Sequence, residues 1–149
     1  MKKSPKLITL LGPTAVGKTA LAARLAYELN GEVISADSRQ VFRGMDIGTG
    51  KDMADYLVNG VAVPSHLIDI AEAGTEYSVY TFLHDFHIAC STIWSTAKTA
   101  VLCGGTGLYI EAALKGYDLV EVPENKMFRS GLEGFRDEEL ILMLKLRIH

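Results

Sequence analysis

Apolar positions fall along the chain in two rhythms, short unbroken runs and stretches that repeat every three to four residues. Leu7-Ile8-Thr9-Leu10-Leu11 is a short run closed by Gly12, the pattern of a strand buried on both faces. Over residues 17–30, Leu21, Leu25 and Leu29 recur every four positions with Ala22 and Ala26 beside them. That spacing predicts a helix whose row packs on a sheet and which stops at Asn30-Gly31. A second strand is expected over 32–36, centred on Val33-Ile34. Residues 38–65 are rich in glycine and polar residues and read as loop, with a short helix over 52–57. A third strand is predicted at 66–70. Residues 77–98 carry the plainest helix, because Val79, Phe82, Leu83, Phe86, Ala89, Cys90, Ile93 and Trp94 keep a 3.6-residue period. A strand at 99–103, a tight turn at Gly104-Gly105, a helix over 107–114 and a loop over 117–126 complete the series.

Strand, glycine loop, helix and strand form a βαβ unit, whose sheet is parallel. The alternation predicts an α/β domain over residues 1–130, a doubly wound sheet of mostly parallel strands flanked by helices. Residues 131–149 stand apart. Asp137-Glu138-Glu139 opens a helix, yet 140–148 is apolar nearly all round, whereas a terminal surface helix should keep a polar face. This segment is expected to meet a partner, either a further region of a longer chain or a second copy.

Composition adds exclusions. With 48% hydrophobic residues and no biased runs, disorder and collagen-like repeats are ruled out. No apolar stretch is long enough for a bilayer and none has the form of a signal peptide, so a cytoplasmic protein without membrane contact is expected. Cys90 and Cys103 lie in apolar segments and read as small core residues rather than a disulfide framework. The net charge of −3 argues mildly against a nucleic-acid partner, but it is an average of two unlike parts. Residues 1–51 hold eight Lys/Arg and four Asp/Glu, a net of +4, and residues 52–149 hold seven and fourteen, a net of −7. The positive part favours a phosphate-bearing ligand.

That part also carries the chemistry. Gly12-Pro13-Thr14-Ala15-Val16-Gly17-Lys18-Thr19 fits G-x-x-x-x-G-K-[ST] without mismatch, after a strand and at the start of a helix. The glycines let the backbone curl so that its N–H groups converge on phosphate oxygens, and the helix N-terminus adds positive potential. Lys18 supplies an ammonium and Thr19 a hydroxyl for Mg²⁺. The loop establishes a di- or triphosphate ligand and leaves kinase, NTPase and diphosphate-using transferase open. Asp37 follows the second strand, at the sheet edge where ligands bind in such folds, and suits a metal ligand or a general base. Ser38, Arg39 and Gln40 add donors directly after it.

A resemblance narrows these alternatives. The loop GPTAVGKT, the block SADSRQVFRGMDIGTGK, the segment VPSHLID, the Tyr77-Ser78-Val79 helix start and GGTGLYI occur in this order and spacing in the tRNA dimethylallyltransferases (tRNA isopentenyltransferases). The similarity runs from about residue 7 to 116 and more weakly through Arg129, with nothing matched after residue 130. It implies a P-loop NTPase-like fold and transfer of a dimethylallyl group from dimethylallyl diphosphate to the exocyclic amine of an adenosine beside the tRNA anticodon. In that family the loop holds the donor's diphosphate rather than ATP. By motif matching, Gly12, Thr14, Ala15, Val16, Gly17, Lys18 and Thr19 bind the diphosphate, with Mg²⁺ on Thr19. Asp37 is the general base, acting with Lys18 and Thr14. Asp37, Ser38, Arg39, Gln40, Thr106 and Arg129 meet the tRNA anticodon stem-loop.

Departures from the family pattern are equally visible. Ser65-His66 stands where His-His is usual, and Phe42 where tyrosine is. Family members are longer, and their second half brings an arginine for the diphosphate and a helical subdomain for the stem-loop. Arg39 or Arg43 is the expected electrostatic substitute for that arginine. Rival readings are an adenylate isopentenyltransferase, a small-molecule kinase, and a chain that binds diphosphate without turnover. His84, His87 and Cys90 have three-residue spacing, but steps of three drift around a helix, so they read as a polar face with a core cysteine rather than a metal site. His66 beside Asp69 is a further site candidate.

Overall fold

The computed structural model describes residues 6–120 and 122–147. They divide into a larger unit that ends at Leu119 and a smaller one that begins at Val120.

In the larger unit, strands β1 (Leu7–Leu11), β2 (Gly31–Ser35), β5 (Ser65–His66) and β6 (Thr99–Gly104) form one parallel sheet in the order β1-β6-β2-β5. The two strands of the βαβ unit are therefore not neighbours, because β6 lies between them. Leu10 pairs with Cys103 on one side of β6 and Ser35 pairs with Cys103 on the other. β1 is consequently an edge strand and only half-buried along most of its length, although Leu7 packs into one core layer and Leu10 into the other, so that both of its faces meet the core as the apolar run predicts.

Alternation along the central strands sorts the core into two layers. Val33, Val101 and Cys103 face helix α1 (Lys18–Glu28), and Ile34, Ala100 and Leu102 face helices α2 (Val79–Ser95) and α3 (Gly107–Lys115). On α1 the packed residues are Ala22, Ala23 and Ala26, all fully buried, whereas Leu21 and Leu29 are exposed. The alanine row meets the sheet together with Leu25, which packs against the same core layer, and the leucines at either end of their row do not. Small side chains let the helix backbone lie close to β2 and β6, leaving room for the rings of neighbouring segments. α2 follows its predicted stripe, with Phe82, Leu83, Phe86, Ala89, Cys90 and Ile93 buried. It starts at Ser78, whose Oγ accepts from the Thr81 N–H as an N-cap.

The predicted third strand is reduced to Ser65–His66. Leu67 and Asp69 adopt left-handed φ of 62° and 54°, which breaks the ladder. Residues 69–71 instead run beside 40–43, with Asp69 N–H donating to Gln40 O (3.1 Å) and Ile70 N–H to Val41 O (2.8 Å). Between these segments a single 3₁₀ turn (Met53–Tyr56) leads into a hairpin, β3 (Leu57–Val58) and β4 (Val61–Ala62). Asn59 and Gly60 at its tip have φ of 52° and 78°, the pair of positive values such a two-residue turn requires.

In the smaller unit, helix α4 (Lys126–Ser130) is capped by Asn125, whose Oδ1 accepts from the Phe128 N–H at 2.9 Å. Helix α5 (Asp137–Arg147) exposes Ile141, Leu142, Leu144 and Leu146, as its all-round apolar pattern implies. The last two residues of that predicted segment, Ile148 and His149, lie outside the described residues.

Candidate active site

The phosphate loop leaves β1 at Leu11 and enters α1 at Lys18. Two left-handed residues, Ala15 (φ 62°) and Gly17 (φ 79°), curl it back on itself. Gly17 is the N-cap of α1 and carries no side chain to close the helix end, so the first N–H groups of α1 stay turned toward the loop. Gly12 lies beside the lysine stem, where a Cβ would stand in van der Waals contact, 3.4 Å from Lys18 Cδ. The Lys18 ammonium donates to the Pro13 carbonyl, which holds it across the mouth of the loop.

Opposite the loop, Asp37 and Ser38 follow the end of β2. Asp37 Oδ1 accepts from the Arg39 N–H at 2.9 Å, a local turn that fixes the carboxylate. The turn after β6 meets the same segment: Ala36 N–H donates to Cys103 O (2.8 Å) and Thr106 N–H to Ala36 O (3.2 Å). Gly104 permits this approach, since a Cβ there would lie 2.3 Å from the Ala36 carbonyl oxygen. Thr106 is the N-cap of α3, yet its hydroxyl makes no cap to its own helix. It accepts from the Ser38 N–H at 3.0 Å instead. A cap given up in this way ties α3 to the residue after Asp37.

These elements enclose a cavity of about 560 Å³. Thr14, Ala15, Gly17, Lys18 and Thr19 form one wall, and Asp37, Arg39 and Gln40 another. Gly12 and Val16 belong to the loop without lining the cavity, and Ser38 and Thr106 stand behind Asp37, bonded to each other. Arg129 lies in the smaller unit, where it pairs with Glu124 (2.8 Å). Gln40 is buried and its polar atoms are committed: Oε1 accepts from Ser35 Oγ (2.9 Å), and Nε2 donates to Thr49 O and Gly50 O. Arg39 is exposed and lines the cavity, while Arg43 bonds Glu72 and the Asp69 carbonyl away from it. His66 also points elsewhere. Its Nε2 meets Glu32 Oε2 at 2.6 Å, and Lys98 Nζ donates to the other oxygen at 2.6 Å. Burial pushes the Glu32 carboxyl up, but Lys98 and His66 together hold it below its ordinary value.

Sequence patterns did not single out Asp52, Asp55, Tyr56 or the 48–50 loop as cavity residues. A one-turn 3₁₀ helix has no periodicity to read. The 48–50 loop is held by Lys51, whose side chain is 1% exposed and donates to Phe42 O (2.8 Å), Asp46 Oδ1 (3.2 Å) and Asp69 Oδ1. Burial pulls the Lys51 ammonium down, and the hydrogen bonds it donates to Asp69 and Asp46 outweigh it, so its pKa is raised. The two cysteines differ. Cys90 is sealed in the core, and Cys103, also buried, forms part of the cavity floor. Burial pushes both thiols up to about 11, against a pull from Lys18 at Cys103. His84 pairs with Asp85, and among the described residues no three His, Cys, Asp or Glu side chains converge to hold a metal.

Comparison with known proteins agrees with this arrangement. Residues 40–147 match the IPP transferase family and residues 5–61 the isopentenyl transferase family. The first match carries the similarity beyond residue 130, where the motifs alone end. The tRNA dimethylallyltransferase 1 of Azobacteroides pseudotrichonymphae is 58% identical over 140 residues, 94% of this chain and 46% of that protein. Among solved structures, the full-length tRNA isopentenylpyrophosphate transferase of Bacillus halodurans is 42% identical with a TM-score of 0.72, over 89% of this chain and 43% of its own. A eukaryotic dimethylallyltransferase acting on tRNA is 28% identical with a TM-score of 0.74, over 89% and 33%. The chain thus spans about half the length of the curated relatives it matches, or less. With a parallel sheet flanked by helices, a phosphate loop at the end of β1 and matches over nearly all its length, the chain belongs to the IPP transferase family.

Proposed function

We propose that this chain forms the donor-binding and catalytic part of an enzyme that transfers a dimethylallyl group from dimethylallyl diphosphate to the exocyclic amine of the adenosine beside a tRNA anticodon. The observation that carries the reading is the shared cavity, with the phosphate loop on one wall and Asp37 on another. The diphosphate sits on the N–H groups of 14–19, with Lys18 and Thr14 on its oxygens. Mg²⁺ belongs to the proposal. Thr19 and the cavity carboxylates are hard oxygen donors of the kind it prefers, too few to enclose it without diphosphate oxygens. When bound, it neutralises charge on the departing diphosphate.

An adenine amine is a weak nucleophile, and an allylic carbon compensates by parting readily from diphosphate. The carbon–oxygen bond breaks with its electron pair leaving on the diphosphate, which Lys18 and the loop N–H groups stabilise. The amine lone pair forms the new carbon–nitrogen bond, and the amine proton passes to the Asp37 carboxylate. Such proton transfer contributes about 10²–10⁴ in rate. The Asp37 oxygen not bonded to the Arg39 N–H is the one available for it. An unpaired anticodon-loop base is the cheapest to draw out of its stack. Arg39 at the cavity mouth, Ser38 held by Thr106, and Arg129 serve as RNA contacts. Gln40 serves by holding the 48–50 loop against the segment that carries Ser38 and Arg39. The cytoplasm, where tRNA is modified, is the compartment.

The test supplies labelled dimethylallyl diphosphate with tRNA, AMP or ATP in separate reactions. Label enters tRNA, and Asp37→Ala keeps diphosphate binding while losing transfer. Label entering AMP and not tRNA overturns the acceptor, and full turnover by Asp37→Ala removes the base.

A further inference from the structure

Tyr56 closes the 3₁₀ turn that follows Asp52. Its ring is wedged among Ala22, Ala23 and Ala26 of α1, Val33 of β2, and Val101 and Cys103 of β6, and the residue is 5% exposed. The alanine row of α1 makes the space for it. A buried tyrosine normally finds a partner for its hydroxyl. Tyr109, equally buried, donates to the Tyr77 carbonyl at 3.1 Å. The Tyr56 hydroxyl makes no hydrogen bond among the described residues, although no fully enclosed side-chain N or O atom lacks a partner there. Its oxygen is therefore not sealed in the core.

Tyr56 lines the same cavity as Lys18, Thr19 and Cys103. Charge effects agree: the phenol is raised first by burial and then by Cys103 and Asp55, and Cys103 in turn feels Lys18. Tyr56, Cys103 and Lys18 all line this cavity, and Tyr56 and Cys103 belong to the core layer on the α1 side of the sheet. A phenol kept protonated is a neutral donor, suited to an anionic oxygen.

We infer that the Tyr56 hydroxyl is a further ligand-binding group of this cavity, donating a hydrogen bond to an oxygen of the diphosphate held by the phosphate loop. The inference rests on the diphosphate reading of that loop. It supplies a donor from a segment with no phosphate-binding motif, on a rigid ring that loses little freedom when the ligand arrives.

Calorimetric titration of the chain with Mg²⁺ and inorganic pyrophosphate tests it, using wild type, Tyr56→Phe and Lys18→Ala. Phenylalanine keeps the ring and its packing, so melting should be unchanged while pyrophosphate binds about tenfold more weakly, the effect of one hydrogen bond to a charged acceptor. With Cζ-labelled tyrosine, the resonance missing from Tyr56→Phe should move when pyrophosphate is added to wild type. Equal affinity of Tyr56→Phe and wild type, with Lys18→Ala weakened, overturns the role of Tyr56 and leaves the diphosphate reading standing. Weaker binding matched by a lower melting temperature and a stationary resonance assigns Tyr56 to packing and also overturns it. Absence of binding by wild type overturns both.

Discussion

Replacing Lys51 with methionine keeps the length of the side chain and removes the charge that holds the 46–50 loop against residues 42 and 69. Three acceptors surround the ammonium, and hydrogen bonds to a charged group contribute about 1.5–3 kcal/mol each. The carboxylates of Asp46 and Asp69 are 68% and 43% exposed, however, and regain water once the lysine is gone. Their share falls to that of surface pairs, about 0.5 kcal/mol each. The Phe42 carbonyl is less accessible, and losing its partner costs about 1–2 kcal/mol. Relief of the desolvated ammonium offsets a little, and the net loss is about 2 kcal/mol. In urea unfolding with a slope of about 1.5 kcal/mol per molar, the midpoint falls by about 1 M. Because the Lys51 pKa is raised above 10.5, its contribution is fully present below that value and disappears as pH rises through the folded-state pKa. The difference between wild type and Lys51→Met should therefore be flat from about pH 6 to about pH 9 and shrink in stronger base. Amide exchange should quicken over residues 42–50 and not in α2. A midpoint shift under about 0.3 M with unchanged exchange would refute the reasoning.

Two further changes probe the scaffold. Glu32→Gln removes the charge between Lys98 and His66 and should cost about 1–2 kcal/mol near neutral pH. Since the Glu32 pKa is lowered below 4.5, that difference persists above this value and fades as pH falls through the folded-state pKa, which urea titrations at several pH values will read. Gly104→Ala drives a Cβ into the Ala36 backbone and should cost about 3 kcal/mol, lowering the melting temperature by roughly 10 °C and weakening pyrophosphate binding with it. Gly105→Ala, whose Cβ meets nothing nearer than 3.8 Å, should melt like wild type; equal melting of the two variants refutes the steric account.

Periodicity revealed what periodicity controls. The stripe of α2 is followed residue by residue because one helix face meets one sheet face. The apolar run of β1 reflects two faces that meet the core through Leu7 and Leu10, but a run of leucines does not say how many neighbours its strand has, and β1 proved to be an edge strand. On α1 the buried face holds Ala22, Ala26 and Leu25 of the predicted set, and Leu21 and Leu29 fall outside it because close approach, not apolar area, decides which face lies on β2 and β6. Asp69 was read inside a strand over 66–70, but it turns left-handed where Lys51 captures it, a contact between residues 18 apart that no local pattern encodes. At the site, the phosphate loop and Asp37 were legible as motifs, each next to a strand end. Tyr56 was not, because its role arises from where a single irregular turn happens to lie against α1.

The place of β6 has a consequence for how the chain is made. β1 and β2 carry the two motifs of the cavity but are not hydrogen-bonded to each other, and both are held by residues 99–104. Their spacing is set by two strand intervals, about 9.5 Å, and exists only when β6 is inserted. A chain emerging from the ribosome therefore completes the phosphate loop and the aspartate early and can bring them together only after nearly a hundred residues. Such long-range closure is slow relative to helix formation. A nascent chain halted before Thr99 has both motifs and no site.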